Sequence, residues 1–208
     1  MLHRIVILSL LILTHNVMQS QSLEGEYRLS GIQDMAASFI FTPDGHFEFY
    51  YVYGASDRNA TGTYTVEDNV IKLKSDKEAG SDFQINQQKK NGKGYTIQVS
   101  APNPQLLSNI TCFYFIGEAK EVVQLDSKGF LHLDINHCDR IYLRHEFFPD
   151  IPSLIKDADN PNNTFTVSML PSLAQVSFKG IDLFIEEGVL TCLPNYFMPF
   201  NNIRFIKR

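Results

Sequence analysis

The chain has 208 residues, a formal net charge of −5 and 44% hydrophobic residues. This length suffices for one large β domain or two small ones. The mildly acidic balance, with no basic tract, argues against nucleic acid or an anionic membrane surface as the main partner. The 16 Phe and 9 Tyr residues favour β-strands.

The first twenty residues have the layout of a secretory signal peptide. His3 and Arg4 form a weakly basic start, an apolar run follows over 5–13, and polar, small residues continue to Ser20. The apolar run is too short for a transmembrane span, which needs about 20 residues. We therefore expect residues 1–20 to be removed and the rest to be exported, to the periplasm or outside the cell, without membrane insertion. An uncleaved anchor is the alternative.

Short alternating runs separated by turn residues predict an all-β fold, as a sandwich or a barrel. In the first half we expect hairpins from three pairs of runs: 39–41 with 47–53, 62–66 with 70–73, and 83–85 with 95–99. The first pair flanks Asp44-Gly45, a strong hairpin signal because glycine tolerates positive φ. Alternation places the following side chains inward: Phe39, Phe41, Phe47, Phe49, Tyr51, Tyr53, Tyr64, Val66, Ile71 and Leu73. The first half is thus predicted to be an antiparallel meander up to residue 99.

The segment Ala101-Pro-Asn-Pro104 is the best candidate for a linker, because two prolines in four residues do not fit a central strand. Beyond it, short strands are expected at these runs: 111–116, 121–125, 130–133, 140–143, 181–185 and 189–193. We therefore expect two antiparallel β modules after the signal peptide, a meander or barrel over 21–101 and a sandwich-like module over 102–208. A single fused sandwich is the alternative.

Residues 31–64 carry a resemblance to a known group of proteins. After the Asp44-Gly45 hairpin comes Tyr53-Gly-Ala-Ser-Asp57-Arg58-Asn-Ala60-Thr-Gly62-Thr-Tyr64. This resembles an uncharacterised family of exported bacterial β-proteins with a Tyr-Gly-Ala-x-Asp-x-x-Ala-x-Gly segment followed by an aromatic residue. The resemblance implies export and β architecture, and it carries no activity. Gly25-Glu-Tyr27, followed by a meander, also resembles the start of lipocalin-like barrels, with Tyr where those have Trp.

The residues of this segment suit a loop that faces a ligand at a barrel mouth. Asp57 is expected to cap the backbone of its own turn, and Arg58 to pair with Asp57 or Asp34 or to lie across a tyrosine ring. We therefore take Tyr53, Asp57, Arg58 and Tyr64 as candidate ligand-binding residues. A purely structural inter-strand loop is the alternative.

No catalytic or metal site is predicted. The sequence lacks a Gly-x-Ser-x-Gly elbow, and Cys138 next to His137 would point to the opposite face of a strand. His132, His137, Cys138, Asp139 and His145 cluster at a spacing that matches no zinc signature, although a hairpin of 130–135 with 140–145 would bring two histidines together. The segment 157–163 lacks the glycine and glutamate of an EF-hand loop. We expect no cofactor.

The three cysteines, Cys112, Cys138 and Cys192, allow one intrachain disulfide or none. The sequence does not choose among the three possible pairings, and three buried thiols are the alternative.

Three hypotheses for the function follow. The first is a non-enzymatic exported protein whose aromatic-rich first module binds a small apolar or amphipathic ligand, or a partner in the cell envelope. The second is a hydrolase of envelope polysaccharide or peptide whose carboxylates come from distant strands. The third is a structural or adhesive pair of modules. The same aromatic residues also suit plain core packing, and in that case the barrel would hold no ligand.

Overall fold

The computed structural model describes residues 23–54 and 56–208, so the expected signal peptide and its cleavage site lie outside the described residues. The strands of the first half are β1 (Gly25–Ser30), β2 (Met35–Phe41), β3 (His46–Tyr53), β4 (Ser56–Glu67), β5 (Val70–Ser75), β6 (Phe83–Lys89) and β7 (Tyr95–Ser100). Those of the second half are β8 (Ile110–Ile116), β9 (Ala119–Gln124), β10 (Phe130–Leu133), β11 (Arg140–His145), β12 (Ser153–Lys156), β13 (Thr164–Met169), β14 (Asp182–Glu186), β15 (Val189–Cys192) and β16 (Ile203–Lys207). Short 3₁₀ helices span Pro104–Asn109 and Pro171–Ala174. The described residues contain no helix with the length and apolar character needed to cross a bilayer.

The all-β prediction is confirmed, and eight strands close a barrel in the order β1-β2-β3-β4-β5-β14-β15-β16. Every neighbouring pair is antiparallel, including the closing pair β1 and β16. The barrel is therefore an up-and-down barrel, with the chain from β6 to β13 inserted between its fifth and sixth strands. The predicted hairpins β2–β3, β4–β5 and β14–β15 are present in it.

Aromatic side chains fill the interior of the barrel, and the fully buried rings are Phe39, Phe41, Phe47, Phe49, Phe178 and Phe205. Phe39 and Phe49 have ring centroids 4.6 Å apart, and Phe178 meets Phe49 edge-on at 5.1 Å. The Phe178 ring, from the segment 176–181, thus fills the space between the barrel strands. The buried aromatic residues of the first half therefore pack as core, the alternative that the sequence left open.

Six of the ten predicted inward positions are buried, Tyr64 and Leu73 are half-buried, and two are exposed. Tyr53 and Val66 lie at strand ends and are 44% and 47% exposed, respectively. Alternation alone does not indicate where a strand passes beyond the packed interior, so both were assigned to the core incorrectly.

The inserted strands form two sheets that face each other. One sheet has the order β10-β7-β13-β6 and the other β12-β11-β8-β9. Their inner faces share a core that includes Ile97, Cys112, Ile141, Leu143 and Val167. We call this part the sandwich.

Two expectations about pairing in the sandwich are wrong. β6 and β7 were expected to form a hairpin, but β13 lies between them, antiparallel to β6 and parallel to β7. β10 and β11 were a possible hairpin, but they belong to different sheets. In both cases a strand distant in sequence completes the sheet, and local turn signals carry no information about it.

Strand pairing also divides the chain differently from the expected boundary between 101 and 102. That boundary falls inside the sandwich, because β7 shares a sheet with β10 and β13. The barrel in turn takes β14, β15 and β16 from the end of the chain. The proline-rich segment after β7 forms a 3₁₀ helix that joins the two sheets of the sandwich.

Candidate ligand site at the junction of barrel and sandwich

The β3–β4 hairpin brings two of the predicted site residues to one end of the barrel. Tyr53 pairs with Ser56, and Tyr51 with Arg58, across this hairpin. Arg58 points inward and is 1% exposed, whereas its neighbour Asp57 points outward. Alternation along β4 therefore separates the two charged residues onto opposite faces.

A cavity of about 380 Å³ lies at this end, between the barrel and the sandwich. The barrel strands contribute Tyr51, Tyr53, Gly54, Ser56 and Arg58, the segment after β15 contributes Tyr196, Phe197 and Pro199, and the β11–β12 connection contributes Glu146, Phe147 and Pro149. We call it the junction cavity. Its size is within the usual range for small-molecule sites, roughly 300–1,000 Å³.

Backbone carbonyls of distant segments hold the Arg58 guanidinium. Its Nη1 donates to the Pro149 carbonyl at 2.6 Å, and its Nη2 donates to the Gln175 carbonyl at 2.8 Å. Nη2 also lies 3.6 Å from Oδ2 of Asp150. Arg58 therefore does not pair with Asp57 or Asp34, the partners expected from the sequence. Its side chain extends from the inward face of β4 towards Pro149 and Asp150 of the sandwich.

Next to Arg58 lies a second buried cation with two carboxylates. Lys77 Nζ lies 2.8 Å from Oδ2 of Asp150 and 2.7 Å from Oδ1 of Asp82. Asp150 also accepts hydrogen bonds from the backbone N–H and the hydroxyl of Ser177, both at 3.0 Å. Two cations thus face two anions, and we call these four charged residues the buried ion cluster.

Burial sets the direction of the pKa changes in this cluster. It lowers the pKa of Arg58, an effect that Asp150 and Asp82 oppose. Burial raises the pKa of Asp82, and the nearby Lys77 ammonium opposes this increase. Burial, reinforced by the nearby Asp150, also raises the pKa of the Tyr196 phenol. An unpaired charge would be unfavourable in this buried position, and each charge of the cluster is stabilised by the opposite charges beside it.

Two polar atoms of residues that line the junction cavity have no hydrogen-bond partner. They are the hydroxyl oxygen of Ser56 and Nε of Arg58, and both are inaccessible to solvent. Buried polar atoms in native proteins are nearly always paired with protein or ordered water, so these two atoms call for a water molecule or a ligand group beside them.

Of the four predicted site residues, the structure brings two together. Tyr53 and Arg58 both line the junction cavity. Asp57 is exposed on the outer face, opposite Val52. Tyr64 lies towards the other end of the barrel, where its hydroxyl donates to the Thr42 carbonyl at 2.9 Å.

Sequence reasoning missed the lining residues that come from outside the motif. Phe147, Tyr196 and Phe197 reach the cavity from segments about 90 to 145 positions further along the chain. The segment Glu146-Phe-Phe-Pro149 carries no local signal for this position, since only the insertion of the sandwich between β5 and β14 brings it to the barrel mouth.

The other residues considered for chemistry are spread through the sandwich, except Cys192, which lies on the barrel strand β15. Within residues 23–54 and 56–208, no group of three or more His, Cys, Asp or Glu side chains could hold a metal. His137 Nε2 lies 2.8 Å from Oδ1 of Asp139, whereas buried His145 lies near Leu106. Cys112, Cys138 and Cys192 are all unpaired buried thiols.

Comparisons with protein-family models, with curated proteins and with solved structures found no match for this chain.

Proposed function

We propose that the protein binds a small amphipathic molecule in the junction cavity. The observation that carries this proposal is that two residues with an orphan polar atom, Ser56 (Oγ) and Arg58 (Nε), line a cavity whose walls are mainly aromatic. A small rotation of either side chain would bring its donor to the cavity surface, where a ligand oxygen would accept from it while the apolar part of the ligand packs against the rings. Sites of this kind combine apolar walls with a few fixed polar groups.

The charges around the cavity favour a ligand with an acceptor oxygen. Both Nη atoms of the Arg58 guanidinium already donate to backbone carbonyls, and its Nε–H is without a partner. Glu146 lines the cavity near Arg144, at 3.6 Å, and is the only acidic residue in its described lining. We therefore expect a ring-bearing molecule with a carbonyl, hydroxyl or sulfonate oxygen, rather than an amine.

The eight-stranded barrel is consistent with a lipocalin-like resemblance, but the proposed site differs in place from the site of such barrels. An eight-stranded barrel of that kind encloses its ligand inside the barrel. Here the interior holds Phe39, Phe49 and Phe178, so the proposed site is shifted to the mouth and shared with the sandwich. An exported location, periplasmic or extracellular, remains part of the proposal and rests on residues 1–20.

Fluorescence titration with anilinonaphthalene sulfonate tests the proposal, since this probe combines aromatic rings with an acceptor oxygen. We expect saturable binding with one site per chain. Tyr53→Ala removes an aromatic wall and Ser56→Ala removes one donor, and each should weaken binding by about tenfold, equivalent to about 1.4 kcal/mol.

Tyr50→Ala is the matched control, because Tyr50 lies on the same strand, is 49% exposed and does not line the cavity. Its affinity for the probe should equal that of the unchanged protein. Equal affinities for all three variants would refute the proposal.

A further inference from the structure

A second cavity lies within the sandwich, away from the junction cavity. It has a volume of about 400 Å³ and is formed by the β6–β7 turn, the β10–β11 connection and the end of β12 with the segment that follows. Its lining is rich in cations, with Lys90, Lys93 and Lys156, and the described lining contains no Asp or Glu. We call it the lysine cavity.

Lys156 is the unusual member of this lining. It is 4% exposed, and its ammonium donates only to two backbone carbonyls, those of Asp157 at 2.8 Å and Asp139 at 3.4 Å. It forms no ion pair within the described part of the chain. Charged side chains are rarely buried unless they are paired with an opposite charge.

Lys77, another buried lysine of this chain, is by contrast paired with opposite charges. Lys77 is 7% exposed and has two carboxylates, Asp82 at 2.7 Å and Asp150 at 2.8 Å. Lys156 acts on the Asp139 carboxylate through space and helps to lower its pKa, but that carboxylate is hydrogen-bonded to the Gly117 N–H at 2.6 Å and to His137 at 2.8 Å instead. Within the described chain, no carboxylate contacts the Lys156 ammonium directly.

Other donors surround the same space. Lys90 and Lys93 are exposed and form no ion pair with the described residues. Tyr95 is buried, and its hydroxyl oxygen accepts a hydrogen bond from the Cys138 N–H at 3.1 Å, which leaves the phenolic proton available. Asn136 adds an amide. The lining thus offers many N–H and O–H donors and a surplus of positive charge.

We propose that the lysine cavity binds a tetrahedral oxyanion, a phosphate or sulfate group, with Lys156 as its buried countercharge and Lys90 and Lys93 at the entrance. Point-charge ammonium groups are well suited to phosphate. The cavity is larger than a single ion needs, so the group could be free or carried on a small polar molecule. Both sources share the same recognition chemistry.

Isothermal titration calorimetry on the purified protein distinguishes these sources. The titrants are inorganic phosphate, sulfate, glycerol phosphate and, as a neutral control, glycerol. Saturable binding of the anions but not of glycerol supports the proposal. Tighter binding of glycerol phosphate than of inorganic phosphate assigns a carried group, and the reverse assigns the free ion. No saturable heat with any anion overturns the proposal.

Two variants locate the binding. Lys156→Met keeps the length of the side chain without its charge and should weaken binding of the tighter anion at least tenfold. Lys90→Gln combined with Lys93→Gln changes only exposed side chains, so folding is preserved, and should weaken binding about threefold or more. Lys128→Gln, an exposed lysine that does not line the cavity, should leave binding unchanged. Equal affinities for the double variant and Lys128→Gln would show an adventitious ion only.

Discussion

Asp150, from the connection between two sandwich strands, lies 2.8 Å from Lys77 and 3.6 Å from Arg58, which belongs to a barrel strand. All three side chains are at least 99% buried. This carboxylate therefore links barrel and sandwich through the buried ion cluster. Arg58 lies within the motif that resembles an exported family, so this motif contributes one residue to the cluster.

Replacing Asp150 by Asn should destabilise the protein strongly. The change leaves two buried cations opposite one carboxylate, Asp82, and breaking a buried pair in this way costs about 3–5 kcal/mol. Urea unfolding measures the loss. Asp182→Asn is the control, because it breaks an exposed pair with Lys72, whose side chain is 50% exposed. That pair should contribute at most about 1 kcal/mol. Similar losses for both variants would contradict the role of the cluster.

Replacing Gly62 by Ala should also destabilise the barrel. A Cβ at this position would lie 2.1 Å from the carbonyl oxygen of Lys74 on β5 and 2.9 Å from the Phe47 ring. The backbone of β4 and β5 would have to separate, a change that costs about 1–3 kcal/mol or more. Thermal unfolding checks this, with the exposed neighbour Thr63→Ala as control. A melting temperature equal to that of the control would show that the strands adjust freely.

His145 should make stability depend on pH in the mildly acidic range. Its Nε2 lies 3.0 Å from the Leu106 carbonyl and its Nδ1 accepts from the Phe147 N–H at 3.2 Å, so the ring is neutral with its proton on Nε2. Burial lowers the pKa of His145 below its ordinary value, an effect that Arg58 reinforces and Leu106 and Glu146 oppose. The unfolded chain, with a pKa of about 6.5, then binds more protons than the folded one.

The stability from neutral His145 is therefore complete above about pH 6.5 and is lost as the pH falls through the lower folded-state pKa. Urea unfolding at about pH 7 and about pH 5.5 should show a decrease in the unchanged protein. His145→Asn should reduce this decrease, whereas His46→Asn, at an exposed position, should retain it. If stability decreases as much between these pH values in His145→Asn as in the unchanged protein, the pH dependence belongs to other groups.

The three thiols should be free and slow to react. Burial raises the pKa of Cys112 to about 12 and that of Cys192 to about 11, and it also raises the pKa of Cys138. Little thiolate is then present at neutral pH. Iodoacetamide with mass spectrometry should show almost no labelling of the folded protein and three labels after unfolding without reductant. Only one label after such unfolding would indicate a disulfide.

The sequence predicted the local parts of this fold well and the non-local parts poorly. The β2–β3 hairpin follows from Asp44-Gly45 and the alternation of Phe39 and Phe49, both of which are local signals. The pairing of β1 with β16 and the insertion of β13 between β6 and β7 join distant segments that carry no mutual signal.

The candidate site shows the same division. Tyr53 and Arg58 were found because the motif concentrates unusual residues in one loop. Asp150 and Phe147 were not, because only the tertiary fold brings them to Arg58. Tyr64 shares the motif but lies towards the other end of β4, about eight residues from the cavity in an extended strand.

Two-dimensional 1H–15N NMR with anilinonaphthalene sulfonate tests the proposed ligand site most directly. We predict saturable shifts of backbone amides that line the junction cavity, those of Tyr53, Ser56, Arg58 and Phe147, with the sandwich amides of Ile97 and Val167 unchanged. Shifts confined to other surfaces, with the four cavity amides unmoved at saturation, would contradict the account.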